Sequence, residues 1–266
     1  MPVISVENGQ RGLLNSGDQA AYAPDVRDPV ALCAEAAAGW HASWLRALGL
    51  RSERNEGAWR ALDRPPHIYF AGITLEPDVS AKPLGTVPGS VCDAWQTLEL
   101  QEHGYRVWRT EPWFFREPGP APETSPPELE LVAVSSAAEV HEFEVVSVRG
   151  FGSEEDSIEP GTYHPPTVLD DEAMKMFIGR VDGLPVAAAM GYRMDDVVGV
   201  FGVTTIASAR RRGYGTAVTS AAMLTETGLP AILAPSREGE RVYRRLGFGR
   251  VGELTIWSKA SLAMLT

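Results

Sequence analysis

The chain has 266 residues, 44% hydrophobic and 22% charged, which is enough apolar material for a substantial core and argues against wholesale disorder. Its formal net charge of -11 and isoelectric point near 5.0 argue against nucleic-acid binding, because phosphate contacts need a basic surface. The two cysteines, Cys33 and Cys92, lie far apart and, like the five histidines, show no metal-ligand spacing, so we expect no bound metal.

The start of the chain, MPVISVENGQRGLL, lacks a basic region followed by an apolar run, so we expect no signal peptide. The apolar stretch LPVAAAMGY is far too short to span a bilayer. We interpret the two cysteines as buried, reduced thiols. Together these features predict a cytoplasmic protein without a membrane partner.

The first half of the chain begins its regular structure with a strongly signalled helix. In DPVALCAEAAAGWHASWLRALG, Asp28 suits the N-cap, Pro29 suits the first helical position and Gly49 can end the helix. We expect a buried strand over residues 67–75, a helix over residues 90–104, and one or two strands in YRVWRTEPWFFRE. Four aromatic residues of that last stretch either belong to the core or line a ligand pocket: Trp108, Trp113, Phe114 and Phe115.

A proline-rich segment divides the chain nearly in half. The sequence REPGPAPETSPPELE, at 116–130, holds five of the 20 prolines and almost nothing apolar. Such a composition is typical of a stiff, extended linker. We therefore predict two domains, 1–128 and 129–266.

The second half alternates strand-like and helix-like runs. After a strand, ELELVAV, the spacing of Ser136 and Glu139 is that of a capping box at the start of a helix. The polar loop FGSEEDSIEPGTYHPP is long enough to be a lid or specificity loop. The runs MKMFIGRV, PVAAAMGYRM and VVGVFGVTTI, separated by short turns, predict an antiparallel meander. A helix, a strand, a helix with ERVYRR and a final strand follow, so we expect an α/β fold with a mixed, mostly antiparallel sheet flanked by helices.

The stretch ARRRGYGTA, at 209–217, concentrates three arginines in an acidic chain, beside two glycines and between a strand and a helix. Glycines let backbone N–H groups converge on an anion, and the helix brings its positive end to the same point. A phosphorylated cofactor explains this composition better than the alternative, a solvated charged turn. The stretch lacks the lysine of a P-loop, and Val218 stands where a dinucleotide fingerprint needs a small residue.

This stretch resembles the acyl-CoA-binding signature of the GNAT superfamily of N-acetyltransferases, Arg/Gln-x-x-Gly-x-Gly/Ala, in the form Arg210-x-x-Gly213-x-Gly215. The resemblance covers roughly residues 129–266, and VYRRLGF follows at the expected later position. It implies the GNAT fold and direct transfer of an acetyl group from acetyl-CoA to a primary amine of a small molecule or peptide. The alternative is a CoA-binding regulatory module without catalysis.

The resemblance also implies roles for particular residues. Val203, Thr204 and Thr205 would offer backbone groups to the pantetheine arm, with an N–H near Thr205 binding the oxyanion. Tyr243 occupies the position of a tyrosine that assists the leaving thiol, either with a pKa lowered by neighbouring arginines or as a hydrogen-bond donor. Ser236 replaces an asparagine common in the family. The pyrophosphate would lie against the residues of the signature: Arg210, Arg211, Arg212, Gly213, Tyr214, Gly215 and Thr216.

Two questions stay open at the level of sequence. The general base is either a water chain or one of five acidic residues near the expected mouth of the site: Glu154, Glu155, Asp156, Asp195 and Asp196. The first half lacks the signature, and tandem members of the family suggest a degenerate copy that covers the substrate end or supports a homodimer. A shift of 143 residues aligns Gly104 and Tyr105 with Gly247 and Phe248.

Overall fold

The computed structural model describes residues 28–122 and 125–259, so the N-terminal stretch considered above for a signal peptide lies outside the described residues. The described part of the chain contains five α-helices and eleven β-strands. In chain order they are α1 Pro29–Ala47, β1 Ser52–Asn55, β2 Ala58–Ala61, β3 Gly72–Thr74, α2 Ala81–Leu84, β4 Val91–Asp93, β5 Tyr105–Arg116, β6 Glu130–Ala133, α3 Ala137–Phe151, β7 Met174–Val181, β8 Leu184–Arg193, β9 Val198–Thr205, α4 Tyr214–Met223, β10 Ala231–Leu233, α5 Glu240–Arg245 and β11 Gly249–Lys259.

The eleven strands form one sheet in the order β1-β2-β3-β4-β11-β5-β10-β9-β8-β7-β6. Only two neighbouring pairs are parallel, β3 with β4 and β9 with β10. The strands β7, β8 and β9 form the predicted antiparallel meander. The prediction of a mixed, mostly antiparallel sheet flanked by helices is therefore confirmed.

The strand order is nearly symmetric about the central antiparallel pair formed by β5 and β11. On each side of this pair lies a three-residue strand, β10 or β4, followed by its parallel partner, β9 or β3. Gly104 and Gly247, with φ of 80° and 90°, precede β5 and β11. The predicted boundary at residue 128 falls in the connection from β5 to β6, and β5 lies between β10 and β11.

The helices cover the two faces of the sheet unequally. On β8, Ala188 and Met190 pack into the cluster that contains α1 and α3, whereas Ala187 and Ala189 pack into the cluster that contains α4. Because successive strand residues point to opposite faces, α1 and α3 lie on one face and α4 on the other. In α1, 13 of 19 residues are buried, so this helix is enclosed on nearly all sides.

Local signals explain where the two longest helices begin. The Asp28 carboxylate accepts a hydrogen bond from the backbone N–H of Val30 at 3.0 Å, and α1 ends before Gly49, whose φ is 72°. In α3, Ser136 and Glu139 form both bonds of the predicted capping box. These bonds satisfy N–H groups that a helix end otherwise leaves unpaired.

The helix predicted over residues 90–104 is wrong. Residues 91–93 instead form β4, which pairs with β11 and β3, and only a short 3₁₀ turn follows at Gln101–His103. The Asp93 carboxylate accepts from the Leu98 N–H at 2.9 Å and turns the chain after β4. Tertiary strand pairing here overrides the helical appearance of the sequence. The strand predicted over residues 67–75 is confined to Gly72–Thr74.

The aromatic residues of β5 divide between core and surface. Trp113 and Phe114 are buried, Phe115 is partly buried, and Trp108 is 48% exposed. The core interpretation therefore holds for the end of β5 that lies next to β10. Cys33 and Cys92 are both buried, and neither takes part in a disulfide. No helix in the described ranges combines the length and apolar character needed to cross a bilayer.

Candidate functional site

The parallel strands β9 and β10 diverge soon after they begin. β9 pairs with β10 only through Val198 and Gly199, opposite Ala231 and Ile232. From there to the end of β9, residues 200–205 have no partner on β10. Because the pairing stops there while β9 continues, the β10 side of residues 200–205 has no strand neighbour in the described part of the chain, and we call this place the V-shaped opening. It lies beyond the carboxyl end of β10, and open α/β sheets bind ligands beyond the carboxyl ends of parallel strands.

β9 also carries an irregularity inside this opening. Phe201 pairs with Met190 and Thr204 with Ala188, so two residues of β9, Gly202 and Val203, oppose a single residue of β8. Gly202 has φ of 60°, which a glycine adopts without strain. The bulge thus releases the backbone of Gly202 and Val203 from the pairing with β8, and Val203 is a predicted site residue. Thr204 and Thr205, the other two residues predicted on this strand, pair again with β8.

The predicted signature forms a bend that leads into α4. Arg211 and Gly213 have φ of 65° and 88°, and Gly213 occupies the N-cap position without a side-chain cap. No acceptor among the described residues takes the backbone N–H groups of residues 211–216. A Cβ on Gly215 would lie 3.2 Å from the Thr205 hydroxyl, so the bend is narrow. Unpaired N–H groups at a helix N-terminus are the arrangement with which proteins bind anions.

The arginines of the bend do not act alike. Arg210 donates from Nε to the Thr205 carbonyl at 3.0 Å and from Nη2 to the Gly150 carbonyl at 2.8 Å. This side chain therefore ties the bend to β9 and α3. Arg211 and Arg212 are exposed, and they are the cations that the structure leaves at the surface of the bend.

The tyrosine of the signature contributes only its backbone to the surface of the bend. The Tyr214 side chain is 1% exposed, and its hydroxyl donates to Glu128 Oε1 at 2.9 Å. A hydrogen bond from its own backbone, then the Tyr214 hydroxyl and the charge of Arg212, lower the pKa of Glu128. A Cβ on Gly213 would lie 3.3 Å from Pro126, so the end of the proline-rich segment packs against the bend.

Tyr243 lies on α5, between β10 and β11 in the chain. Its ring meets Phe248 edge-on at 6.3 Å, and its hydroxyl has no hydrogen-bond partner in the described ranges. Burial raises the pKa of Tyr243 to about 12. Arg244 lies over the Phe114 ring at 5.0 Å and pairs with Glu240. The expectation that neighbouring arginines lower the phenol's pKa is therefore wrong.

Comparison with known proteins identifies the fold. No protein-family model and no curated protein matches the chain. A GCN5-related N-acetyltransferase from Kribbella flavida superposes with a TM-score of 0.59 at 24% identity, over 84% of this chain and 95% of that one. A protein assigned to the GNAT family from Novosphingobium aromaticivorans gives 0.55 at 18% identity, over 86% and 99%. A GCN5-related N-acetyltransferase-like protein from Streptococcus suis gives 0.50 at 14% identity, over 79% and 87%.

The chain has the GNAT fold. In it, the predicted signature occupies the bend between β9 and α4, next to the V-shaped opening. The residues predicted for the pantetheine arm lie along one side of the same opening. The structure thus brings the predicted backbone positions of the bend and of β9 close together.

Ser236 takes a local role in this GNAT fold. It is exposed, and its hydroxyl and carbonyl both accept from the Gly239 N–H, at 3.3 and 3.0 Å. The carbonyl also accepts from the Glu240 N–H at 3.2 Å. The residue therefore shapes the turn before α5.

The acidic residues predicted near the mouth are mostly engaged elsewhere. The Glu154 carboxylate accepts from the Ser208 backbone N–H and hydroxyl, and Asp156 accepts from the Ser153 N–H at 2.7 Å. Asp195 and Asp196 lie in the β8–β9 turn, at the end of β9 away from the bend. Glu155 is exposed. In the described part of the chain, no three metal-ligating side chains come together.

One buried carboxylate escaped sequence analysis. Glu144, 0% exposed on α3, accepts from the backbone N–H groups of Gly161, Tyr163 and His164 at 2.7 to 3.0 Å. It fixes the far end of the loop that the sequence predicts to be a lid or specificity loop. The available signal was a glutamate at the apolar side of an amphipathic helix, directly after Phe143.

The first half of the chain covers the face of the sheet opposite α4. A Cβ on Gly199 would lie 3.3 Å from the Ala36 side chain, and Trp40 stacks on Phe201 at 4.8 Å between ring centroids. Helix α1 therefore lies against β9 where the V-shaped opening begins. Any molecule that reaches β9 from this face of the sheet must pass α1.

Proposed function

We propose that the protein is an N-acetyltransferase that moves an acetyl group from acetyl-CoA directly to a primary amine of a small molecule or peptide. The observation that carries this proposal is the bend at 211–216, with six unaccepted N–H groups beside the opening between β9 and β10. The likeness of 84% of the chain to a GNAT structure supports it, and so does the Arg210-x-x-Gly213-x-Gly215 signature.

The residues present fit a CoA ester. The narrow bend and the positive end of α4 suit a diphosphate, and exposed Arg211 and Arg212 add charge-assisted hydrogen bonds. The bulge at Gly202 and Val203 offers backbone N–H groups to a carbonyl oxygen, in a fixed position that needs no rearrangement. When bound, acetyl-CoA supplies an activated thioester.

In this proposal Tyr243 acts as a neutral hydrogen-bond donor. Giving its proton to a thiolate would run uphill, because its pKa is about 12 and that of a free thiol is about 8.5. The difference corresponds to ~5 kcal/mol, a large part of a barrier that an enzyme must lower. A phenol that keeps its proton and donates a hydrogen bond to the leaving sulfur avoids this cost.

We also propose that residues 1–128 are a degenerate copy of the GNAT unit in residues 129–266. The near symmetry of the strand order about β5 and β11 supports this. In the first half, the corresponding parallel strands β3 and β4 stay in contact to their ends, because the Thr74 hydroxyl accepts from the Ala94 N–H at 2.8 Å. The helix that corresponds to α4 is the four-residue α2. Such a copy would not take a cofactor.

A second candidate function is a CoA-binding module without catalysis. The position of α1 favours it, because Ala36 and Trp40 cover the sheet face where an acceptor would approach. Both functions require CoA to bind at the bend at 211–216, but only the enzyme transfers the acetyl group. Release of free CoA thiol with any member of a broad amine panel supports the enzyme, whereas tight CoA binding without release supports the module.

Titration calorimetry with CoA tests the cofactor. We expect saturable binding by the wild-type protein, without competition from ATP or NAD, and loss of binding in Gly213→Asp and Gly215→Asp, whose carboxylates would stand in the bend. The matched control is Gly228→Asp, because Gly228 follows α4 and a Cβ there has open space nearby. Equal CoA binding by all four proteins would contradict the proposal.

The remaining features of the proposal are its location and assembly. We place the protein in the cytoplasm because Cys33 and Cys92 are free thiols. We propose no nucleic acid, membrane or metal as a partner. A homodimer stays a prediction, and sedimentation equilibrium measures it directly.

A further inference from the structure

Two sets of hydrogen bonds join the end of α3 and the loop after it to the segment that leads into the bend. Arg210, just before the bend, donates to the carbonyl of Gly150 near the end of α3. Glu154 accepts from both the backbone N–H and the hydroxyl of Ser208, the latter at 3.1 Å. We call Gly150, Glu154, Ser208 and Arg210 the clasp.

The clasp connects opposite faces of the sheet. Helix α3 packs on the same face as α1, whereas α4, which carries the N–H groups of 211–216, packs on the other. The clasp passes around the end of β9, where Gly150 lies against Thr204 so closely that a Cβ would come within 2.0 Å of its hydroxyl oxygen. A displacement on one face is therefore transmitted to the other through direct contacts.

Apart from the clasp, the first part of the loop is held by its own turn and by Arg149 of α3, whose Nε donates to the Asp156 carbonyl at 3.2 Å. Within the turn, Ser153 and Asp156 exchange two hydrogen bonds, at 2.7 and 3.0 Å. Its next strong attachment is the buried carboxylate of Glu144, which holds residues 161–164. Glu154 is thus the side chain that attaches the first part of the loop to the segment before the bend.

We propose that Glu154 is a positioning residue, which couples occupation of the bend at 211–216 to the placement of the loop 151–158 on the acceptor face. This inference rests on the proposed function, since it takes CoA as the occupant of the bend. Ser208 lies only three residues before the first free N–H donor of the bend, so an anion that orders the bend also orders Ser208 and, through Glu154, the loop. The loop begins at Phe151, the last residue of α3, whose side chain is 69% exposed.

Hydrogen–deuterium exchange with and without saturating CoA tests this coupling. In the wild-type protein, CoA should slow amide exchange both at 211–216 and at 151–158. The slowing at 151–158 should be about tenfold, which is the effect of one charge-assisted hydrogen bond that becomes persistent. In Glu154→Ala, the slowing at 211–216 should remain, and that at 151–158 should fall below about twofold. Glu154→Gln keeps an acceptor oxygen and should restore most of the effect.

Glu155→Ala is the matched control, because Glu155 is an exposed neighbour whose carboxylate makes no hydrogen bond within the described ranges. It should behave like wild type. If CoA slows exchange at 211–216 but not at 151–158 in the wild-type protein, the coupling is wrong and the proposed function stands. The same conclusion follows if Glu154→Ala shows the same slowing at 151–158 as wild type. No slowing at 211–216 in any protein would contradict the proposed function and this inference together.

Discussion

The indole ring of Trp40 stacks on the ring of Phe201, with 4.8 Å between centroids and 24° between planes. Trp40 belongs to α1 in the first half of the chain, and Phe201 to β9 in the second. The contact therefore lies at the centre of a core that the two halves share, on the face opposite the bend at 211–216.

Trp40→Ala should lower the free energy of unfolding by about 3 to 5 kcal/mol, because a large aromatic side chain leaves a cavity that rigid neighbours fill only partly. CoA affinity should stay within about twofold, since the anion site lies on the other face of the sheet. Urea denaturation and calorimetry measure the two quantities. Trp108→Ala is the control, because the Trp108 side chain is 48% exposed. It should lower the free energy of unfolding by well under half as much as Trp40→Ala. Equal losses of unfolding free energy in the two variants would show that the stacking of Trp40 on Phe201 contributes little to stability.

Arg116 is the last residue of β5, and the sequence predicted it at the junction of a strand and the proline-rich linker. Its guanidinium is buried and donates to four carbonyls, those of Leu246, Glu117, Gly119 and Pro120, at 2.6 to 3.2 Å. It thereby holds the proline-rich segment against the end of α5.

Arg116→Met should cost about 3 kcal/mol of stability, because buried carbonyls lose charge-assisted bonds and find no replacement. Arg116→Lys should recover only part of this, since one ammonium cannot reach carbonyls that lie around a planar fork. Thermal unfolding of the three proteins measures the effect. Full recovery by lysine would mean that charge alone, rather than the fork geometry, supports the segment.

Two buried histidines make stability depend on pH. Burial lowers the pKa of His41 to about 4, against a smaller opposing effect of its bond to the Ala37 carbonyl, and burial lowers the pKa of His164 to about 3. The unfolded chain binds these protons near pH 6.5. Since unfolding takes up protons below that pH, stability falls as pH decreases from about 6.5 towards 4 and 3, by about 1 kcal/mol per pH unit for each histidine.

His164→Phe should reduce the slope of stability against pH by about half, because it removes one of the two buried histidines. A phenyl ring should fit the site, since Trp44 and Phe143 already meet the His164 ring edge-on. Urea denaturation between pH 7.5 and 5 gives the slopes. His67→Phe is the control, because His67 is exposed and its removal should leave the slope as it is. A wild-type stability that stays constant over this range would show that neither histidine is kept neutral by burial.

Elements with a local signal were predictable from the sequence. The cap at Asp28, the capping box at Ser136 and the meander of β7 to β9 depend on residues close together in the chain. Elements whose partners lie far away in the chain were not. β4 is a three-residue strand whose partners on β11 come more than 150 residues later, so its own sequence suggested a helix. The insertion of β5 between β10 and β11 has no local signature at all.

The candidate site divides in the same way. The backbone positions of the bend follow from glycine spacing, so Gly213 and Gly215 were predictable. Side-chain roles were not, because they depend on which carbonyl or ring lies nearby in the fold. Arg210 bonds to carbonyls of Thr205 and Gly150, and burial rather than neighbouring arginines sets the pKa of Tyr243.

The proposed role of Tyr243 gives a pH prediction. Because burial raises its pKa to about 12, the phenol stays protonated throughout the range in which the protein can be assayed. The turnover rate should therefore show no decline from tyrosine ionisation below about pH 11, whereas a phenol activated by arginines would give a decline near or below pH 10.

Tyr243→Phe should lower kcat by about 10- to 100-fold, the effect of one hydrogen bond to a developing charge, and should leave the CoA dissociation constant within about twofold. Free-thiol release with the best amine of the panel measures kcat, and calorimetry measures CoA binding. Tyr214→Phe is the matched control, since that hydroxyl bonds to Glu128 and has no proposed part in the chemistry. If Tyr243→Phe turns over like wild type, the ring only packs α5 against Phe248, and the leaving sulfur must be stabilised by other groups.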